Sequence, residues 1–194
     1  GSDQIQNRSS LGGNLCNGSP AADSVPAMVV NGARAVVAGP NGTRVLDVAE
    51  VVTGPGETSL AADEFIVEFE IDRMPTRTGD AYLRMIPRTE MDIAVVGAGA
   101  RVTLAEDGSI EQAVLALGAV APTVVRVPDA EAALVGNIAD DETLSAVADA
   151  ASEACNPIDD KRGTVAYRKQ VAGVLAKRAV LIAIERAEQR NGTK

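Results

Sequence analysis

The stretch Ile93–Ala119 restricts the possible folds of this chain more than any other. It opens with a long apolar run, Ile93–Leu104, in which Arg101 is the only charge. It turns at Glu106-Asp107-Gly108-Ser109 and returns through Ile110–Ala119. Two apolar runs joined by a short turn containing Asp-Gly read as a β-hairpin. Gly97 and Gly99 lie inside the first run, where glycine marks a bulge or a close backbone approach. Ala81–Ile86 precedes the hairpin as a further strand, joined to it by the charged connection Pro87–Asp92. The expected sheet is a three-stranded antiparallel meander, with a fourth short strand open at Thr123–Arg126.

Three helices follow by periodicity and punctuation. Pro128–Leu134 stops at Gly136. Asp141–Ala154 opens on Asp140 or Asp141 as its cap and puts Leu144, Val147, Ala148 and Ala151 on one face. The last helix runs from about Val165 to Ala187, with Val171, Val174, Leu175, Leu181, Ile182 and Ile184 as its apolar positions, and residues 188–194 should fray. Aromatic residues make up only 2% of the chain, although 46% is apolar. Any core must therefore be built from Ala and β-branched side chains, with close backbone contacts.

The first half is more broken. Residues 1–9 are polar, with no capping or turn signal. Residues 10–19 read as a glycine turn, and 20–31 as a short helix burying Val25, Met28 and Val29. Ala33–Ala38 and Thr43–Val48 flank Pro40-Asn41-Gly42 as a second hairpin. Asp47–Val52 forms a helical turn and Thr53–Glu57 a loop. Glu64–Ile71 is a strand with Phe65, Val67, Phe69 and Ile71 on one face and Ile66 on the other. The Pro-, Thr- and Arg-containing stretch Asp72–Gly79 is a linker and marks a domain boundary.

Composition removes several functions. The formal charge is −9 and there is no histidine. The acidity argues against nucleic acids and anionic membranes, which select basic patches. The missing histidine removes Ser-His-Asp and Cys-His catalysis and most zinc sites. Cys16 and Cys155 lack metal-like spacing and suit a reduced, cytoplasmic chain. No apolar run is long enough to span a bilayer.

The stretch Ser10–Asp23 concentrates polar chemistry. Gly12-Gly13 lets backbone N–H groups approach a ligand without interference from a Cβ, and runs of such groups can form an anion nest. Asn14, Asn17 and Ser19 add donors and acceptors. Pro20 could open the following helix and aim its positive end at the turn. These residues alone favour a connecting loop over a site for a polar, phosphorylated ligand, because short glycine motifs recur widely in loops.

This stretch, SSLGGNLCNGSPAADSVPAM, resembles the second flavin motif of the FAD-binding medium subunit of molybdenum hydroxylases, the xanthine dehydrogenase and aerobic carbon monoxide dehydrogenase family. The resemblance continues in order. SDQIQNR is similar to the approach to that motif, and TGPGETSLAADEFIVEFEI to the segment leading to a strand beside the flavin. AYLRMIPRTEMDIAVVGAGARVTL resembles the start of the family's C-terminal domain. GAVAPTVVRVPDAEAALVG and PIDDKRGTVAYRKQVAGVLAKRA resemble its later landmarks.

The resemblance implies an α+β chain. Residues 1–73 would be the second half of a PCMH-type FAD-binding domain. Residues 77–190 would be a flavoprotein C-terminal domain, a three-stranded antiparallel sheet packed on about three helices. It implies that Ser10, Leu11, Gly12, Gly13 and Asn14 wrap the flavin and its diphosphate. Asp23 would bind an FAD hydroxyl or ring edge, and Ile66 would make an apolar backbone contact. Arg84 stands where the family often has Lys, which keeps the cation but changes its shape. The loop holding Arg88, Glu90 and Asp92 would lie near the flavin face and influence the electron acceptor.

The implied function is electron transfer. Two 2Fe-2S clusters on a small subunit would reduce FAD, while the molybdenum cofactor sits on a large subunit. The assembly would be a cytoplasmic dimer of heterotrimers. The family's first glycine-rich flavin motif has no counterpart in this sequence. The expectation is a fragment of a longer subunit or half of a split one, inactive alone. Two other readings are a docking module that binds no FAD and an unrelated nucleotide-binding protein. No Walker-type Gly-Lys-Ser/Thr supports the last of these.

Overall fold

A computed structural model describes residues 3–88 and 91–190. The first described element is a single helical turn, α1 (Asp3–Gln6), in the polar stretch 1–9 that carries no capping or turn signal. The expected glycine turn is instead a helix, α2 (Leu11–Cys16). Two glycines weaken a helix, but a cap and one buried anchor outweigh them here. Ser10 Oγ accepts the Gly13 N–H at 3.0 Å, and Leu15 is fully buried. The expected helix at 20–31 shortens to α3 (Ser24–Val30), because Ser19 folds the chain into a turn through its Oγ and its carbonyl. Pro20 thus lies outside α3. It is Pro26 that occupies the helix's first turn, where a missing N–H costs nothing.

The second hairpin is β1 (Arg34–Gly39) and β2 (Gly42–Asp47). Gly39 pairs with Gly42, so Pro40-Asn41 forms the tip and Gly42 takes φ +109°. The helical turn is α4 (Val48–Val51). The expected loop at 53–57 is largely a small ladder, β3 (Val52–Gly54) with β4 (Glu57–Thr58). Then β5 (Phe65–Glu70) pairs with β1, giving the order β2-β1-β5.

A register shift corrects the faces expected for β5. Val36 pairs with Glu68 but Val37 pairs with Ile66, so Val67 is the extra residue of a bulge. The alternation breaks there. Ile66 and Phe69 both pack on the buried cluster, while Phe65, Val67 and Ile71 are exposed.

The larger sheet has four antiparallel strands in the order β6 (Thr78–Met85), β7 (Val96–Leu104), β8 (Ile110–Gly118) and β9 (Val125–Arg126). The fourth strand is real, if short. Helices α5 (Pro128–Leu134), α6 (Asp141–Glu153) and α7 (Val165–Gln189) follow, the last two capped by Asp140 and Thr164. β8 shows how the sheet divides its two faces. Leu115 and Leu117 join the cluster containing α7, whereas Ala116 and Val114 join the cluster of α3 and α4. The face of α7 turned inward is mostly alanine: Ala172, Ala176, Ala179, Ala183 and Ala187. Val174 and Leu181, two of the apolar positions read from the sequence, lie outside.

Glycines set these distances. A Cβ at Gly79 of β6 would come within 2.1 Å of the Ala183 carbonyl of α7. A Cβ at Gly99 would meet the Pro26 carbonyl of α3 at 3.0 Å. Close backbone approach, not a bulge, therefore explains the glycine inside β7. The bulge lies further on, between Thr103 and Leu104.

Candidate functional site

A cleft of about 640 Å³ opens between α2 and the segment from β4 to β5. Ser10, Gly12, Gly13 and Cys16 line one side; Thr58, Leu60–Ala62, Glu64, Phe65 and Ile66 line the other. Four of the expected site residues, Ser10, Gly12, Gly13 and Ile66, thus share one cavity.

The two glycines of α2 differ. A Cβ at Gly13 would crowd the capping Ser10 Oγ at 3.1 Å. A Cβ at Gly12 would meet nothing within 4 Å, and its φ is not positive. Nothing in the fold requires glycine at position 12, yet glycine there weakens the helix.

The opposite wall is held from outside the cleft. Arg44 donates to both Glu64 carboxylate oxygens at 2.8 Å and to the Ser59 carbonyl at 3.2 Å. Glu64 also accepts the Ala61 N–H at 2.8 Å. These bonds, led by that from Arg44, hold the Glu64 carboxyl down at about 2. Another glycine contact ties the chain after α2 to the turn between β3 and β4. Gly18, at φ +62°, packs so tightly on Gly56 that a Cβ would come within 2.9 Å, and its carbonyl accepts the Gly56 N–H. Desolvation raises the Cys16 thiol above its ordinary value, which disfavours its reactive thiolate.

The remaining expected residues sit around α2 and α3. Leu11 is half exposed. Asn14 Oδ1 accepts both the N–H and the hydroxyl of Ser24, docking α2 on the start of α3. Asp23 makes no helix-cap bond. Its carboxylate instead receives Tyr82 Oη at 3.0 Å on one oxygen and Arg84 Nη1 on the other. Tyr82 and Arg84 are two apart on β6, so they share a face. Gly97 gives the tyrosine room, since a Cβ there would lie 2.7 Å from the hydroxyl. Tyr82 was not among the residues expected at the site; the spacing Tyr82-x-Arg84 was the available signal. Arg88 pairs with Asp92 at 2.7 Å, and Glu90 lies outside the described residues.

Residues 81–183 match the family model described as the CO dehydrogenase flavoprotein C-terminal domain. The chain belongs to the family of FAD-binding medium subunits of molybdenum hydroxylases. Residues 1–73 match the FAD binding domain in molybdopterin dehydrogenase. The xanthine dehydrogenase FAD-binding subunit of Escherichia coli O157:H7 is 30% identical over 185 residues, 95% of this chain and 63% of that one. The carbon monoxide dehydrogenase medium chain of Hydrogenophaga pseudoflava is 33% identical over 178 residues, 91% of this chain and 61% of that one. The solved carbon monoxide dehydrogenase from the same organism superimposes with a TM-score of 0.91 at 34% identity, covering 95% of this chain and 64% of that one. This chain thus spans less than two thirds of the length of these relatives. No helix among the described residues is long and apolar enough to cross a membrane.

Proposed function

We propose that this chain supplies the second flavin motif and the C-terminal domain of an electron-transfer subunit in a molybdenum hydroxylase, divided near residues 73–77. The observation that carries this reading is Gly12, a helical glycine that the fold does not need, facing a cleft of about 640 Å³. FAD, when bound, supplies reversible electron acceptance through its isoalloxazine. The protein supplies position and electrostatics. The α2 backbone at Gly12 and Gly13 is the surface that a diphosphate or ring edge approaches. Ser10 fixes the start of that helix, and Leu11 and Asn14 border it. Ile66 offers an apolar contact from the facing strand. Asp23, held by Tyr82 and Arg84, gives a carboxylate of fixed orientation to a ligand hydroxyl.

In this reading the partners are a large subunit carrying the molybdenum cofactor and a small subunit carrying 2Fe-2S clusters, arranged as a cytoplasmic dimer of heterotrimers. The chain alone does not turn over. A docking module without flavin would leave Gly12 unexplained. Titrating the 194-residue chain with FAD, followed by quenching of flavin fluorescence, tests the reading. Saturable micromolar binding supports it, and no binding contradicts it.

A further inference from the structure

We propose that a second, preformed cavity in this chain binds a small organic monoanion with an apolar body. The cavity measures about 490 Å³ and shares no lining residue with the cleft beside α2. Its volume and mostly apolar walls are those of a small-molecule site.

Three distant segments build it, at Ser19–Ala21, Ala119–Pro122 and Asn156–Ile158. Backbone bonds join them rigidly. Ala119 N–H donates to the Pro20 carbonyl at 2.7 Å, and Asn156 N–H to the Val120 carbonyl at 2.8 Å. Ala119 holds φ +63°, a left-handed conformation that an alanine adopts only where its surroundings impose it. Pro20, Pro122 and Pro157 stiffen all three segments, so little ordering is left for a ligand to impose. At the rim, Ile93 and Ile158 are 50% and 71% exposed, large apolar side chains left in water beside an open cavity.

The charged groups lining the cavity set the sign of the ligand. They are two arginines and one aspartate. Arg168 is almost fully buried and committed to the protein. Its Nη1 donates to the Val95 and Ala119 carbonyls at 2.6 and 3.2 Å, and its Nη2 to Asp160 at 2.7 Å. Its buried Nε has no hydrogen-bond partner among the described residues, an uncompensated donor at this spot. Asp160 Oδ1 accepts the Arg162 and Gly163 N–H groups and Arg168 Nη2, and its Oδ2 faces Arg162 Nη1 at 3.4 Å. Arg162 is different. Its guanidinium reaches Asp160 and Asp92 only at 3.4 and 3.9 Å, longer than a strong charge-assisted bond. It is the cation with donors left to offer, and a single carboxylate satisfies it.

Calorimetric titration of the full chain with 2-naphthoate, and with neutral 2-naphthylmethanol, tests this directly. The naphthoate binds one to one and at least tenfold more tightly than the neutral isostere. Arg162→Ala removes that preference while leaving the neutral compound unaffected. Ala121→Trp fills the cavity and abolishes both. Ile158→Asp, at an exposed rim position that does not burden folding, weakens naphthoate at least tenfold. Absence of saturable binding, equal affinity for the two compounds, or unchanged binding to the Ile158 variant overturns the proposal. Because the two cavities are separate, these outcomes do not depend on whether FAD binds.

Discussion

Tyr82 donates its hydroxyl to Asp23 at 3.0 Å, joining the residue ahead of α3 to the middle of β6 across 59 positions of sequence. Removing the hydroxyl leaves a partly buried carboxylate oxygen short of a donor. Tyr82→Phe should cost about 1–2 kcal/mol. The urea midpoint should fall with an unchanged slope.

The same contact predicts an alkaline limit. Burial, then the charge of Asp23, push the Tyr82 phenol well above its ordinary value. A group raised in the folded state contributes stability that is complete below its unfolded value, about 10, and is lost as pH rises beyond it. Wild-type stability should therefore fall more steeply between about pH 10 and 12 than that of Tyr82→Phe. Urea midpoints measured across this range check it; parallel curves contradict it.

Glu64 behaves in the opposite sense. Its folded value of about 2 lies below an unfolded value near 4.5. Its contribution is present above pH 4.5 and disappears as pH falls toward 2. Glu64→Gln should flatten the acid branch of the stability curve in that window and loosen the loop over residues 59–64. Limited proteolysis at neutral pH should cut the variant there first.

The glycines of the larger sheet should rank by what lies over them. Gly79→Ala drives a Cβ against the backbone of α7 at 2.1 Å and should cost about 3 kcal/mol or more. Gly99→Ala meets the Pro26 carbonyl at 3.0 Å and should cost less, because α3 can shift by a few tenths of an ångström. Thermal midpoints in that order support the packing; equal midpoints do not.

Much of this architecture is legible in the chain. Pro128–Leu134 is bounded by its own proline and a glycine stop, and the meander around Asp107-Gly108 follows its turn chemistry. The misreadings have physical causes. Leu11–Cys16 looks like a loop because two glycines dominate local propensity, while the cap and the burial of Leu15 that make it helical are decided by tertiary structure. The face of β5 flips at Val67 because a bulge is invisible to a two-residue period. Val174 and Leu181 count among the apolar positions of the last helix, but close helix–sheet packing selects the alanines beside them. At the site, the glycine pair is visible in sequence. The engagement of Asp23 by Tyr82, and of Glu64 by Arg44, arises only when distant strands meet.

The most direct measurement of the central claim uses Gly12→Ala. The helix has room for the methyl group and alanine is the better helix former, so the variant should be as stable as the wild type, or more stable by up to about 1 kcal/mol. A ligand seated on that backbone meets the same methyl group. FAD affinity, followed by flavin fluorescence, should fall at least tenfold in a variant whose thermal midpoint does not drop. Unchanged FAD affinity in a folded Gly12→Ala chain would contradict the account.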